Sequence, residues 1–147
     1  MSEMIEPVNL TERGAFPVFN LSAPQHNQEF VVLEGDGREA LIFGPGRSTD
    51  GHLPSDCKTV VIHGNRHFKF LKNINLNDQI VLSDQFGYEY QYCVLDVSIV
   101  DMEDEGVIVN DHLDELKLVT PWPFDGRTRD SQLRYVVTAR KYETYQY

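Results

Sequence analysis

Residues 117–125 read Lys-Leu-Val-Thr-Pro-Trp-Pro-Phe-Asp, a β-rich run that ends in two prolines around a tryptophan. Val119 and Thr120 favour a strand, whereas Pro121 lacks the backbone N–H that a further ladder hydrogen bond needs. Pro121 also carries no nucleophilic side chain. Trp122, held between the prolines, forms a stiff aromatic platform. The stretch therefore predicts a strand that ends in a rigid, apolar loop.

Further β-rich runs lie on both sides of this stretch. The predicted strands are Phe16–Leu21, Phe30–Leu33, Ala40–Phe43, Thr59–Ile62, Gln79–Ser83, Tyr88–Val100, Glu115–Thr120 and Arg134–Lys141. A short helix or turn is predicted at Phe68–Asn73, and Asp84–Gly87 suits a hairpin turn. About eight short strands with close turn signals and little helical period predict a mainly all-β barrel or sandwich.

Length and charge limit the classes of function. A chain of 147 residues is long enough for one domain with its own core, and we expect residues 1–14 to be a tail and residues 15–147 a single domain. The net charge of -10 repels phosphate groups, so we expect no nucleic-acid partner. Cys57 and Cys93 are too few for a disulfide framework or a zinc site, and no cofactor or metal is expected.

Four segments resemble the sortase family, and most closely the sortases of Gram-negative bacteria and of classes D and E. The first segment combines Val31–Gly35, similar to V-L-E-G, with Leu41–Gly46, similar to L-x-x-G-P-G-H but followed by Arg47 in place of the histidine. The second, Ile62–Leu71, is similar to G-H-R-D-T-H-F-x-x-L. The third, Leu118–Asp125, is similar to L-x-T-C-Y-P-F-D, and the fourth, Leu133–Ala139, to R-Y-V-V-x-A. The resemblance runs from about residue 16 to residue 141. It implies a sortase-type eight-stranded β-barrel with one or two short helices.

The resemblance also implies the site residues. In the family a cysteine thiolate attacks the scissile Thr–Gly carbonyl, a histidine protonates the leaving amine and an arginine stabilises the oxyanion. His63 and Arg134 fall on the histidine and arginine positions, whereas Pro121 falls on the cysteine position. Loss of a covalent nucleophile costs on the order of a million-fold in rate. We therefore expect a pseudoenzyme with the transpeptidase fold.

The expected partner is an extended peptide or protein tail that resembles a sorting signal. The residues expected to bind it are Thr120, Pro121, Trp122 and Arg134, next to His63. Side chains alternate along a strand, so position 121 is expected to face the groove and Thr120 the barrel interior.

Two other functions stay open at this point. One is an active sortase-type cysteine transpeptidase or peptidase that uses Cys57 or takes a divergent substrate. The other is a structural partner that uses the barrel surface, in which case mutations at Trp122 and Arg134 leave its binding unchanged. His63 and His67 are about 13 Å apart if the segment is extended, which disfavours a shared metal, whereas a helical turn there would favour one. The acidic run Asp101–Glu105, in a region where some sortases hold calcium, is expected to be a solvated loop.

The sequence leaves the cellular compartment open. No run has the length of a transmembrane helix, and residues 1–11 have neither the basic nor the apolar region of a signal peptide. If an N-terminal anchor was removed, the family resemblance implies the periplasmic face of the inner membrane, and the anchor is then the protein's contact with the membrane. If Met1 is the native start, the cytoplasm is expected.

Overall fold

The computed structural model describes residues 16–49, 51–104, 106–110, 112–125 and 131–142. Within them the strands are β1 (Pro17–Ala23), β2 (Gln28–Glu34), β3 (Gly46–Arg47), β4 (Val60–His63), β5 (Gln79–Asp84), β6 (Glu89–Asp101), β7 (Glu115–Pro121) and β8 (Leu133–Lys141). Helical segments in the same part of the chain are α1 (Arg38–Phe43) and 3₁₀ turns at Pro24–His26, Pro54–Asp56 and Arg66–Asn73. The predicted tail, residues 1–14, lies outside the described residues.

The strands close into a barrel in the order β1-β2-β3-β4-β7-β8-β6-β5, with β1 paired to β5. The β2–β3 and β4–β7 pairs are parallel, and the other neighbouring pairs are antiparallel. The predicted mainly all-β, eight-stranded barrel is confirmed. Because β4 and β7 run in the same direction side by side, the segments that follow both strands emerge at the same end of the barrel.

The barrel core comes from the alternate residues that face inward. Leu21, Ile62, Leu82 and Leu118 are fully buried, and Phe68 joins them from the 3₁₀ turn after β4. Each such side chain stabilises the fold by about 1.5–3 kcal/mol relative to an exposed one. The inward face of β7 is thereby fixed, and its other face is turned to the outside of the barrel.

The predicted strand at Ala40–Phe43 is wrong, because these residues are the last four of helix α1. The N–H of Leu41 donates to the carbonyl of Gly37 at 3.1 Å, and that of Gly44 to Ala40 at 3.2 Å. A four-residue apolar run has no decisive period, and alanine and leucine are strong helix formers. The strand in this region is β3, which lies outside the β-rich runs of the sequence.

Strand β3 is held by a close backbone approach and an ion pair. A Cβ atom on Gly46 would overlap the carbonyl oxygen of Gly35, so only glycine fits at this position. Nε and Nη2 of Arg47 donate to the two carboxylate oxygens of Glu34 at 2.8 and 2.7 Å. The arginine that replaces the expected histidine thus ties β3 to β2 with a bidentate, charge-assisted pair.

Candidate functional site

Three neighbouring strands bring the predicted site residues to one end of the barrel. In the β4–β7 pair His63 lies opposite Val119, and in the β7–β8 pair Pro121 lies opposite Arg134. Pro121 is two residues beyond Val119, so the Cα atoms of His63 and Pro121 are roughly 8 Å apart from strand geometry. His63, Pro121 and Arg134 are therefore neighbours.

All three of these residues lie on the outer face of the barrel. Val61, Val119 and Val136 form a small buried cluster that is separate from the barrel core. His63, Pro121 and Arg134 are each two residues from one of these valines on the same strand, so they share its face. Val107 and Val109, from the segment between β6 and β7, pack over this cluster. The segment between β6 and β7 therefore borders the site on the side away from the C-terminal ends of β4 and β7.

His63 is directed towards an acidic loop residue. Its Nε2 atom lies 3.5 Å from Oδ2 of Asp36, and the two side chains are 23% and 36% exposed. Asp36 follows strand β2, so the loop after β2 forms another wall of the site. This contact turns the imidazole ring of His63 towards the loop after β2.

Arg134 anchors the loop that returns to β8. Its Nη1 atom donates to the backbone carbonyls of Ser131 and Leu133, at 3.1 and 2.8 Å. Its Nε and Nη2 donors have no partner among the described residues. Because one guanidinium nitrogen holds the loop, the side chain has a fixed position from which its other donors can bind an acceptor.

Trp122 belongs to a cluster of three rings. Its ring stacks on Tyr135 with centroids 5.6 Å apart at 19°, and Phe124 meets both rings edge-on at 5.2 and 4.9 Å. The Ser131 hydroxyl donates to the Trp122 carbonyl at 2.8 Å and accepts the Leu133 N–H at 3.0 Å. Burial raises the pKa of Tyr135. The predicted aromatic platform is thus larger than Trp122 alone, and the sequence analysis missed its Tyr135 and Phe124 members.

Thr120 faces the barrel interior, as the strand alternation predicts. It is 2% exposed, and its hydroxyl lies 3.5 Å from the carbonyl oxygen of Asn65, at the limit of a hydrogen bond. Pro121 is only partly buried. The hydroxyl next to position 121 is therefore turned away from the outer face, where a substrate carbonyl would lie.

The two cysteines lie at the opposite end of the barrel. Cys57 directly follows the 3₁₀ turn whose Pro54 carbonyl accepts a hydrogen bond from Lys141 Nζ at 2.6 Å. Lys141 is seven residues from Arg134 on β8, roughly 24 Å along a strand. Cys93 pairs with Arg140 on the same strand, so it is also remote. The structure brings neither thiol to His63, which removes the geometric basis for Cys57 as a nucleophile at this site.

His67 is not in the extended segment that the sequence analysis assumed, since it lies in the 3₁₀ turn Arg66–Asn73. Its Nδ1 atom is buried and has no hydrogen-bond partner in the part of the chain that the structure describes, and its ring meets Phe30 edge-on at 5.9 Å. Burial, and then the charge of Arg66, lower the pKa of His67. Within the described ranges no three His, Cys, Asp or Glu side chains are grouped as metal ligands would be.

A small cavity of about 150 Å³ opens beside Pro121. Both polar and apolar residues line it, namely Asn65, Arg66, Lys69, Thr120, Pro121, Pro123 and Phe124. Arg66 and Lys69 are exposed, and the described lining includes no acidic side chain. Its polar residues Asn65, Arg66 and Lys69 come from the turn after His63, and the sequence analysis, which considered the histidine, did not predict their role in a cavity.

None of the helices in the described ranges is long and apolar enough to cross a membrane.

The sequence matches a known protein family. A sequence model of the Sortase domain matches residues 21–142, most of the chain. The chain belongs to the sortase family. Sortase D of Bacillus subtilis (strain 168) is 29% identical over 124 residues, which are 82% of this chain and 62% of that sortase. The chain therefore spans less than two thirds of the length of this curated relative.

Solved sortase structures have the same barrel. Sortase A from Corynebacterium diphtheriae matches with a TM-score of 0.78 at 21% identity, over 89% of this chain and 63% of that one. The sortase D5 transpeptidase of Clostridium perfringens matches with a TM-score of 0.75 at 16% identity, over 86% of this chain and 79% of that one. At these identities the likeness establishes the sortase fold.

The turn after His63 departs from the sortase pattern in a way that packing explains. Gly64 stands where the sortase pattern has arginine, and its N–H donates to the carbonyl of Val119 at 2.9 Å. A Cβ atom on Gly64 would lie 2.6 Å from Cγ of Phe68, which is fully buried. The phenyl ring thus occupies the space that a side chain at position 64 would need.

Proposed function

We propose that this sortase-family protein is a pseudoenzyme that binds an extended, sorting-signal-like peptide in the groove bordered by His63, Trp122 and Arg134. The observation that carries the proposal is Pro121. It stands at the end of β7, beside Arg134 and near His63, where the resemblance puts the nucleophilic cysteine. Acyl transfer through a thioester needs a thiolate at that point, and proline has no nucleophilic atom.

The thiols and the hydroxyls next to position 121 support the proposal. Both thiols are at the far end of the barrel, and the Thr120 hydroxyl is buried on the inner face. The Ser131 hydroxyl is committed to two backbone groups, because it donates to the Trp122 carbonyl and accepts the Leu133 N–H. None of these four groups is therefore placed to attack a peptide carbonyl beside Pro121.

The remaining groups suit binding. The rings of Trp122, Phe124 and Tyr135 give an apolar surface that is rigid because each ring packs on the other two. The Nε and Nη2 donors of Arg134, which have no partner among the described residues, suit a backbone carbonyl of an extended peptide. Because β7 is paired with β4 on one side and with β8 on the other, a peptide over Pro121 meets side chains on the outer face.

The proposal is tested by NMR titration of the ¹⁵N-labelled chain with a library of Leu-Pro-X-Thr-Gly peptides. We expect saturable shifts at the indole N–H of Trp122 and at backbone amides near His63 and Arg134, with the peptide recovered intact. Trp122→Leu is expected to weaken binding about tenfold or more, as loss of a central aromatic contact does. Phe86→Leu, at an exposed ring on the β5–β6 turn, is the matched control and leaves binding unchanged.

Two results of this titration contradict the proposal. One is a set of shifts that maps to the barrel surface away from the groove and does not respond to Trp122→Leu, which supports a structural partner. The other is cleavage of the peptide during the titration, which supports an enzyme.

A further inference from the structure

The cavity beside Pro121 has a charge opposite to that of the molecule. The chain carries a net charge of -10, yet the lining of this cavity includes two cations, Arg66 and Lys69. Arg66 makes one hydrogen bond, from Nη2 to the carbonyl of Ile42 at 3.2 Å, and Lys69 has no partner among the described residues. Neither cation is paired with a carboxylate in the described part of the chain, so both are available to an anion from outside.

The size of the cavity limits what that anion can be. A volume of about 150 Å³ corresponds to roughly five water molecules, or one ring the size of benzene. A nucleotide or a folded partner does not fit in this space. One amino-acid residue with a short side chain does.

The apolar part of the lining decides between an inorganic anion and an organic one. Beside the two cations, Pro121, Pro123 and Phe124 line the cavity with apolar side chains. Free phosphate or sulfate gains nothing from such a surface. A terminal amino-acid residue uses both, because it places its carboxylate on the cations and its side chain on the apolar part of the lining.

We propose that this cavity takes the free C-terminal residue of a peptide, with its α-carboxylate between Arg66 and Lys69 and its side chain against Pro123 and Phe124. This inference rests on the proposed function, because the same peptide continues past Pro121 towards the groove at Trp122 and Arg134. Proline at position 121 then has a positive role, since its ring belongs to the apolar part of the lining. The site selects peptide ends rather than internal segments.

The test uses fluorescein-labelled peptides of the form Leu-Pro-Ala-Thr-X, where X is Gly, Ala, Val or Leu, each made as the free acid and as the C-terminal amide. Binding to the full chain is measured by fluorescence polarisation at low salt. We expect the free acid of at least one peptide to bind about tenfold more tightly than its amide, which corresponds to about 1.4 kcal/mol. The difference is expected to shrink at 0.5 M salt, because both cations are exposed.

Two matched variants localise the effect. Lys69→Met removes a cation from the cavity wall and is expected to abolish most of the preference for the free acid. Lys72→Met removes an exposed cation from the same 3₁₀ turn, outside the cavity, and is expected to leave that preference intact. Neither lysine has a partner among the described residues, so both variants should fold normally.

The outcomes separate this inference from the proposed function. Equal affinity for acids and amides overturns the carboxylate site and leaves peptide binding in the groove standing. An equal effect of Lys69→Met and Lys72→Met overturns it too, because it shows general charge attraction. If a peptide amide whose last residue is Glu binds as tightly as the free acids, any carboxylate suffices. The proposal that the cavity recognises the peptide C-terminus is then wrong. Binding by none of the peptides contradicts the proposed function itself.

Discussion

Adding one methyl group at position 64 tests how the turn after His63 is packed. In Gly64→Ala the new Cβ atom would lie 2.6 Å from Cγ of Phe68, about 1 Å closer than an ordinary contact between carbon atoms. The Phe68 ring is fully buried in the barrel core and cannot move without disturbing its neighbours. Overpacking of this kind typically costs about 1–3 kcal/mol. We expect Gly64→Ala to lower the free energy of unfolding by that amount.

The assay is thermal and urea unfolding followed by circular dichroism. For a chain of this length 1 kcal/mol corresponds to about 2–4 °C in Tm. Gly37→Ala is the matched control, because a Cβ atom there meets nothing within 4 Å and φ is -69°. We expect Gly37→Ala to change the free energy of unfolding by less than about 1 kcal/mol.

A double-mutant cycle identifies the cause of the loss. Phe68→Leu alone removes ring atoms from the core and is expected to cost about 1–2 kcal/mol. If the ring is what Gly64→Ala meets, the double variant loses less than the sum of the single losses, by at least about 0.5 kcal/mol. Additive losses, or a Gly64→Ala chain as stable as the unmodified one, would refute the reasoning.

Three further predictions concern residues away from this turn. Burial raises the pKa of Tyr92, and its hydroxyl has no hydrogen-bond partner among the described residues. Its contribution to stability is therefore complete below pH 10 and lost above it, by about 1.4 kcal/mol at pH 11. Tyr92→Phe should abolish this loss in alkaline unfolding curves, while Tyr88→Phe, at a 66% exposed side chain, should not. Arg47→Leu should lower the free energy of unfolding in urea by about 1–2 kcal/mol, because it removes the bidentate partner of Glu34. If the double variant Glu34→Gln/Arg47→Leu loses as much stability as the two single variants together, the result would argue against the pair. Stoichiometric alkylation of the exposed Cys57, checked by intact mass, should leave peptide affinity within about twofold, since this thiol lies roughly 20 Å or more from the groove along β8, and a loss of binding would reopen its role at the site.

The strand pattern was sufficient for the all-β class, and the resemblance selected the barrel. In β1 and β5 every second residue is buried (Phe19, Leu21 and Ala23; Ile80 and Leu82), so these strands and their inward faces were predictable. The alternation also predicted that Thr120 faces inward and Pro121 outward. Helix α1 was missed because its Ala40–Phe43 run is too short to show a period, and β3 was missed because its pairing depends on tertiary contacts of Gly46.

The candidate site was predictable only in part. The resemblance selected His63, Pro121 and Arg134, and the strand register makes them neighbours; their roles stay predictions. The contact of His63 with Asp36 and the stacking of Trp122 on Tyr135 join distant parts of the chain, and no local pattern announces them. The same holds for the cation-lined cavity, whose two groups of lining residues are more than fifty residues apart in the sequence.

Conversion of peptide by the native chain tests the central claim most directly. The chain is incubated with Leu-Pro-X-Thr-Gly peptides that extend beyond the glycine, together with an amine acceptor, and the products are followed by mass spectrometry; Pro121→Cys is run in parallel. The account predicts no cleavage, no amine transfer and no covalent adduct on the native chain. Cleavage or transfer by the native chain would contradict it, because the peptide would then have been attacked at a site where we find no nucleophile.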